Sequence, residues 1–252
     1  MSPDGKSILY AVGTPRTANE KPGGSHIVYY TMNLKDRKPG TIFNDSIKVS
    51  SPMWLSDGKS VSFLHKVKDG KKQVWVKAIN DDNLTQLTKS ETDILSYQIS
   101  PDGKSIAYRT IKSISDRQKE LNERGYGFTF FEENIRNADL YLGNINEGEI
   151  ENVRQIKLEG HVSGFNFSKN SKQLAAGVCP QNLVDHNYMF TKVFVIDVES
   201  GKSKKVSKNE GKLGNYEISP DGKFLLYTAA LDINDAAVSQ AFVINIADGT
   251  LQ

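Results

Sequence analysis

Two adjacent carboxylates, Glu132 and Glu133, close a short aromatic run near the middle of the chain. Tyr126, Phe128 and Phe130 alternate ahead of them, and Arg136 follows. Two carboxylates on one short segment can hold an ammonium group through charge-assisted hydrogen bonds. Glu132, Glu133, Tyr126 and Arg136 are therefore the candidate ligand-binding residues. The same residues also read as solvated acids at a helix start, with Arg136 as a local partner. The aromatics read equally as anchors fastening an insertion to its neighbours. Both readings stay open on the residues alone.

Other chemistry-bearing groups are thinner. Asp185-His186-Asn187 sets a carboxylate beside an imidazole, without a second His or Cys at metal spacing. Cys179 is the one cysteine, so no internal disulfide forms, and its place beside Pro180 suggests a buried, inert thiol. The oxygen-rich stretches "NDDN" (80–83) and "DINDA" (232–236) lack the glycine and terminal glutamate of a calcium loop and read as polar turns. His26, His65 and His161 stand at strand starts or loop edges with no visible partners, and Trp54 and Trp75 are expected in a core. A serine hydrolase needs its nucleophile on a G-x-S-x-G elbow. "GGSHI", "GKSIA" and "GKSKK" supply the first glycine but not the last. The chain is expected to carry no catalytic residue, metal or cofactor.

The elements that must position these groups announce themselves by repetition. "SPDGKSILY" (2–10), "SPDGKSIAY" (100–108) and "SPDGKFLLY" (219–227) are near-identical, with worn copies "LSDGKSVSF" (55–63) and "SKNSKQLAA" (168–176). Apolar alternation flanks each copy, so strand, turn, strand predicts a β-hairpin. Proline fixes φ at the first corner, aspartate caps the turn through its side chain, and glycine takes the left-handed conformation that closes it. In the worn fourth copy Asn170-Ser171 replaces Asp-Gly, and asparagine is expected to tolerate the positive φ.

A third strand follows each hairpin: "HIVYYTMNL", "QVWVKAI", "ADLYLGNI", "KVFVIDV" and "AFVINI". Short fourth strands follow at "LTQLT" and "SKKVS". Residues 5, 58, 103, 171 and 222 mark the turns, at spacings of 53, 45, 68 and 51. An apolar period of two, repeated at this interval, predicts an all-β fold, a β-propeller of four-stranded antiparallel blades. About five units are visible, near 1–50, 51–95, 96–160, 161–210 and 211–252, within a single domain. Both ends fall inside a repeat, which predicts a piece of a longer chain. Length variation gathers in 11–25, 111–137, 178–191 and 229–240, and long loops on a rigid scaffold are where binding tends to sit. In the longest, Ser115 to Arg124 reads as a helix with Ser115 as its N-cap.

The 252 residues carry 32 Lys plus Arg against 30 Asp plus Glu. The basic residues are spread thinly, so nucleic acid is not expected as a partner. No apolar run approaches the ~20 residues of a membrane helix, and the first residues lack the pattern of a signal peptide.

Repeats of the form S-P-D-G-K-x-[IL]-x-[FY], followed by a strand such as "DLYLGNI", resemble TolB-type propeller repeats. They are similar to those of TolB itself and of the N-terminal propeller of prolyl oligopeptidase family serine peptidases, in the dipeptidyl and acylaminoacyl peptidase branches. The resemblance implies a non-catalytic module that recognises peptides and gates their access to a C-terminal α/β-hydrolase domain. A stand-alone TolB-like protein-binding scaffold is the alternative. In dipeptidyl peptidases a paired glutamate on a helical excursion of the propeller holds the substrate's amino terminus. Glu132 and Glu133 match that pair as a dipeptide only. The resemblance also implies a periplasmic or exported location, with cytoplasmic members known, and the ends that fall inside repeats make oligomerisation plausible.

Overall fold

A computed structural model describes residues 1–43, 47–128, 130 and 134–252. They form two compact units, Met1–Ser90 and Glu91–Gln252. The first unit holds two antiparallel sheets. One has three strands, β1 (Ser7–Thr14), β2 (His26–Asn33) and β3 (Pro39–Thr41), and the other has four, β4 (Val49–Trp54), β5 (Ser60–His65), β6 (Gln73–Ala78) and β7 (Thr85–Gln86). In both sheets the strands lie side by side in chain order.

The second unit holds three sheets of the same up-and-down order. The first comprises β8 (Ile94–Ile99), β9 (Ser105–Ile111), β10 (Ala138–Asn146) and β11 (Glu149–Ile156). A helix, α1 (Asp116–Glu123), lies in the link between β9 and β10. The next comprises β12 (His161–Phe167), β13 (Gln173–Cys179), β14 (Lys192–Asp197) and β15 (Ser203–Lys205), with helix α2 (Val184–Met189) between β13 and β14. The last comprises β16 (Leu213–Ile218), β17 (Phe224–Asp232) and β18 (Asp235–Asn245), and a bridge from Ile244 to Leu251 lies where a fourth strand would run.

The sequence placed a long loop at 229–240, and this is corrected. β17 and β18 run through it as a hairpin, leaving Ile233 and Asn234 between them, with the Asn234 amide donating to the Asp232 carboxylate at 2.7 Å. The run of small residues after Asp235 hides its strand character, because alanine and serine carry little β propensity of their own.

The five turns close as their chemistry dictates. The hydroxyls of Ser2, Ser100 and Ser219 donate to the carboxylates of Asp4, Asp102 and Asp221 at 2.6–2.7 Å. Each carboxylate then accepts the amide two residues on, from Lys6, Lys104 and Lys223. Gly5, Gly58, Gly103 and Gly222 sit at φ between 64° and 76°. In the fourth copy Ser168 and Asn170 make the same bond at 2.7 Å, but Ser171, not Asn170, takes the positive φ of 63°. Asn170 serves instead as the acceptor that aspartate provides elsewhere.

Period-two alternation builds the core. Along β13, Leu174, Ala176 and Val178 join a cluster with Leu140, Leu142 and Ile156 of the preceding sheet. The intervening Ala175 faces the other way, with Val193, Val195, Leu225, Tyr227 and Ile244. Both faces of this sheet are therefore buried, which explains its near-continuous apolar strands. In the first unit Ile42, Phe43, Val61 and Phe63 form one buried cluster, and Leu64, Val74 and Leu87 are buried as well. Trp54 and Trp75 pack against it half-buried, not fully inside.

In four of the five sheets the strand after the turn also sets an aromatic against the next strand: Tyr10 opposite Tyr30, Phe63 opposite Trp75, Tyr108 opposite Tyr141 and Tyr227 opposite Phe242. The first, third and fourth of these pairs stack with ring centroids 5.2–5.5 Å apart. In the worn fourth repeat Ala176 faces Phe194 at the matching position.

The register of β12 against β13 shifts between Val162 and Gly164, a bulge that leaves ladder groups without strand partners. Neighbouring sheets satisfy them. The Arg109 guanidinium, from β9, donates to the Val162 carbonyl at 2.9 Å and also to the Ser163 carbonyl. The Tyr216 hydroxyl, from β16, accepts the Gly177 N–H at 3.0 Å.

Candidate functional site

The link from β9 to β10 is the largest excursion from the sheets. Ser115 caps α1, its hydroxyl accepting the Gln118 N–H at 3.2 Å, as its position before a run of helix formers predicts. The helix stops at Gly125, φ 88°, where the Gly125 N–H reaches the Asn122 carbonyl and the Tyr126 N–H reaches the Leu121 carbonyl. This is the paired bonding of a Schellman motif, which needs a residue at ease with positive φ. The exposed acids of α1 have nearby cations, Asp116 with Lys119 at 2.8 Å and Glu120 with Arg124 at 3.5 Å.

Of the four sequence candidates, two are placed. Tyr126 is exposed, with the Arg124 guanidinium 6.0 Å from its ring centroid. Arg136 is exposed and donates to the Lys112 carbonyl at 3.3 Å. Glu132 and Glu133 lie outside the described residues. Phe128 and Phe130 meet edge to face at 5.0 Å while both remain exposed, so they are not buried anchors.

Arg136, but not Tyr126, lines a cleft of about 530 Å³ between α1 and the returning chain. Ser115, Gln118, Asn122, Phe128 and Asn134 also line it. Its volume falls within the range of small-ligand sites, about 300–1,000 Å³.

The insertion is fastened at its roots. The Asn137 carboxamide accepts the Asn182 N–H at 3.0 Å and donates to the Pro180 carbonyl at 3.4 Å. Lys112 reaches the buried Asp139 at 3.5 Å. His161 Nδ1 accepts the Ala138 N–H at 2.9 Å, and burial, followed by the nearby Arg109 charge, holds this imidazole down to about 4. His161 is thus a neutral acceptor in the core. Its partner stands 23 residues away, so no local signal marks it.

The other histidines, seen in sequence without partners, have them too. His26 meets Glu20 at 2.5 Å, and His65 Nδ1 meets the Lys48 carbonyl at 2.9 Å. The Thr17 N–H, with His26 next, brings the Glu20 carboxyl down to about 2.

The remaining motifs resolve into structure. Cys179 is buried, its thiol donating to the Gln181 carbonyl at 3.3 Å, and burial pushes its pKa up, which keeps it protonated. His186 packs edge-on against Phe190 at 5.5 Å. In "NDDN", the Asp81 carbonyl and the Asp82 carboxylate, the latter at 3.4 Å, hold the buried Lys77 ammonium. Among the described residues no group of three or more His, Cys, Asp or Glu is placed to hold a metal ion. No helix among them is long and apolar enough to cross a membrane.

Comparison with solved structures decides what the sheets are. The structure is similar to acylaminoacyl peptidase from Pyrococcus horikoshii, with a TM-score of 0.63 and 13% identity over 98% of this chain and 37% of that one. It is similar to the β-propeller domain of the trilobed protease from Pyrococcus furiosus, with a TM-score of 0.60 and 12% identity over 98% of this chain and 68% of that one. The fold is a β-propeller. TolB from Agrobacterium tumefaciens is similar too, with a TM-score of 0.58 and 17% identity over all of this chain and 77% of that one.

Curated relatives of the propeller are peptidases. Dipeptidyl-peptidase 5 of Porphyromonas gingivalis is 22% identical over 276 residues, covering 99% of this chain and 39% of that protein. Dipeptidyl-peptidase 5 of Porphyromonas endodontalis is 27% identical over 123 residues, 48% of this chain and 17% of that protein. The chain therefore spans well under half the length of either relative. No protein-family model matches it. The repeats are similar to those of TolB and of peptidase propellers, the resemblance their turn phrase carried.

Proposed function

We propose that this chain is the non-catalytic propeller module of a prolyl oligopeptidase family peptidase, and that it recognises peptide substrates and gates their access to a catalytic domain. The observation that carries this reading is the β9–β10 insertion. It is tied at its roots to His161 and Asn182, it opens a cleft of about 530 Å³, and it exposes Tyr126, Phe128 and Phe130. Rigid aromatic side chains on a fixed platform are economical contacts for a flexible ligand, because little side-chain entropy is lost on binding. Tyr126 and Arg136, together with Glu132 and Glu133, are the proposed substrate contacts. A periplasmic or exported location accompanies the proposal.

Calorimetric titration of the chain with peptides of three to six residues, alongside a peptidase assay, tests the reading. Saturable binding without turnover supports it. Turnover abolished by a serine-directed inhibitor, or no binding of any peptide, overturns it. A stand-alone TolB-like protein-binding scaffold is the second reading, favoured by the 77% of Agrobacterium TolB that the chain covers. Capture of a folded protein, but of no short peptide, would support that one instead.

A further inference from the structure

We infer that the cleft beside α1 selects ligands bearing a carboxylate, with Arg136 as the charged contact and Asn122, Asn134 and Ser115 as neutral donors. This deepens the peptide-recognition reading and rests on it for the class of ligand. The argument is an inventory of hydrogen-bonding groups. Among the described residues that line the cleft Arg136 is the one charged side chain, and no described carboxylate pairs with it. Its guanidinium spends one donor on the Lys112 carbonyl and keeps the others.

Each asparagine oxygen already accepts one bond. Asn134 Oδ1 takes the Phe130 N–H at 2.8 Å, and Asn122 Oδ1 takes Gln118 Nε2 at 3.0 Å. Each therefore retains an NH2 group. Ser115 Oγ accepts the Gln118 N–H and keeps its own proton to donate. Among the described side chains of the cleft, the Gln118 carbonyl oxygen and one further lone pair on each asparagine and serine oxygen remain as acceptors. A cation beside several neutral donors lining one cleft is complementary to a carboxylate, whose oxygens accept only. The exposed ring of Phe128 adds an apolar wall for the group that carries it.

A peptide's terminal carboxylate and an acidic side chain share this chemistry, and the probes separate them. Binding of acetyl-Ala-Ala-Phe as its free acid and as its amide would be measured by calorimetry, beside acetyl-Ala-Asp-Ala-amide and acetyl-Ala-Asn-Ala-amide. At least one acid should bind about tenfold or more tightly than its neutral partner, as expected for charge-assisted bonds. Arg136→Gln should erase that difference, Arg136→Lys should restore part of it, and Asn122→Ala should reduce it. Both positions are exposed, and unchanged circular dichroism would show that the three variants fold. Equal affinities for acid and neutral forms, or a preference that survives Arg136→Gln, would overturn the inference. In that case saturable binding of H-Ala-Ala-Phe-amide would leave peptide recognition standing, and its absence would remove both.

Discussion

The hydroxyl of Ser171 accepts a hydrogen bond from the main-chain N–H of Asp102 at 3.0 Å, joining the turn of the fourth repeat to that of the third. Ser171 stands where the other four repeats carry glycine, and at φ 63° it bears the strain of a side chain in the left-handed region. The worn copy is therefore not simply degraded. What it loses in backbone ease it recovers in a bond that glycine cannot make. Next door, Gly222 sits at φ 76°, and a Cβ there would come within 2.7 Å of Asn170 Nδ2 and Gln173 Oε1, so a side chain would be strained and would displace both side-chain ends.

Ser171→Ala keeps the strain and removes the bond, and it should cost about 1 kcal/mol of stability. Ser171→Gly removes both, and the two effects, each about 1 kcal/mol, should nearly cancel. Urea unfolding of the two variants against wild type checks the pair. An alanine variant as stable as wild type would show that the bond contributes nothing.

Tyr216→Phe should destabilise the second unit by about 1–2 kcal/mol, because the Gly177 N–H loses its acceptor in a buried setting. Hydrogen exchange gives the sharper readout. The Gly177 amide should lose protection while those of β10 do not. Unchanged exchange at Gly177 would mean that another acceptor serves it.

His161 makes stability depend on pH in a defined window. Its folded pKa is about 4, against 6.5 for an unperturbed imidazole. Between those values the unfolded chain binds a proton that the folded chain refuses, so stability falls as pH drops from 6.5 toward 4. The loss over that window is about 3 kcal/mol, and below it His161 contributes no further change. His161→Gln offers an acceptor that does not titrate. Its unfolding free energy, measured from pH 7 to pH 4, should decline less steeply than that of wild type. Parallel profiles would rule out His161 as the source.

Tyr126→Ala and Phe128→Ala should leave stability within about 0.5 kcal/mol of wild type, because neither side chain supports the core. If these rings contact peptide, each truncation should weaken binding severalfold in the titration described above. A fall of several degrees in Tm would instead assign them to packing, and intact binding would remove them from the contact surface.

The turns, most of the strands and the cap at Ser115 were legible in the sequence because each is a local matter, decided by residues within a few positions of one another; the hairpin through 229–240 was not. Pro-Asp-Gly fixes its own dihedral angles, and Ser115 needs only the Gln118 amide. What stayed hidden depends on distance along the chain. Arg109 reaches carbonyls 53 and 54 residues away, and Asn182 meets Asn137 across 45. No spacing rule encodes such pairs. The candidate site was half legible. Composition marked the aromatic run, but the cleft depends on how the chain returns past α1, and Asn122 and Asn134 looked like ordinary polar residues until it did.

The bulge in β12 gives the fourth repeat a fixed address. Its turn phrase makes it look like an interchangeable cassette, yet its backbone needs an arginine from the repeat before it and a tyrosine from the repeat after it. Moved to another position, or duplicated in tandem, the same segment would meet neighbours that lack one or both. Ancestral copying could multiply the hairpin freely. Once Arg109 and Tyr216 were in place, the order of these three repeats was no longer free to change.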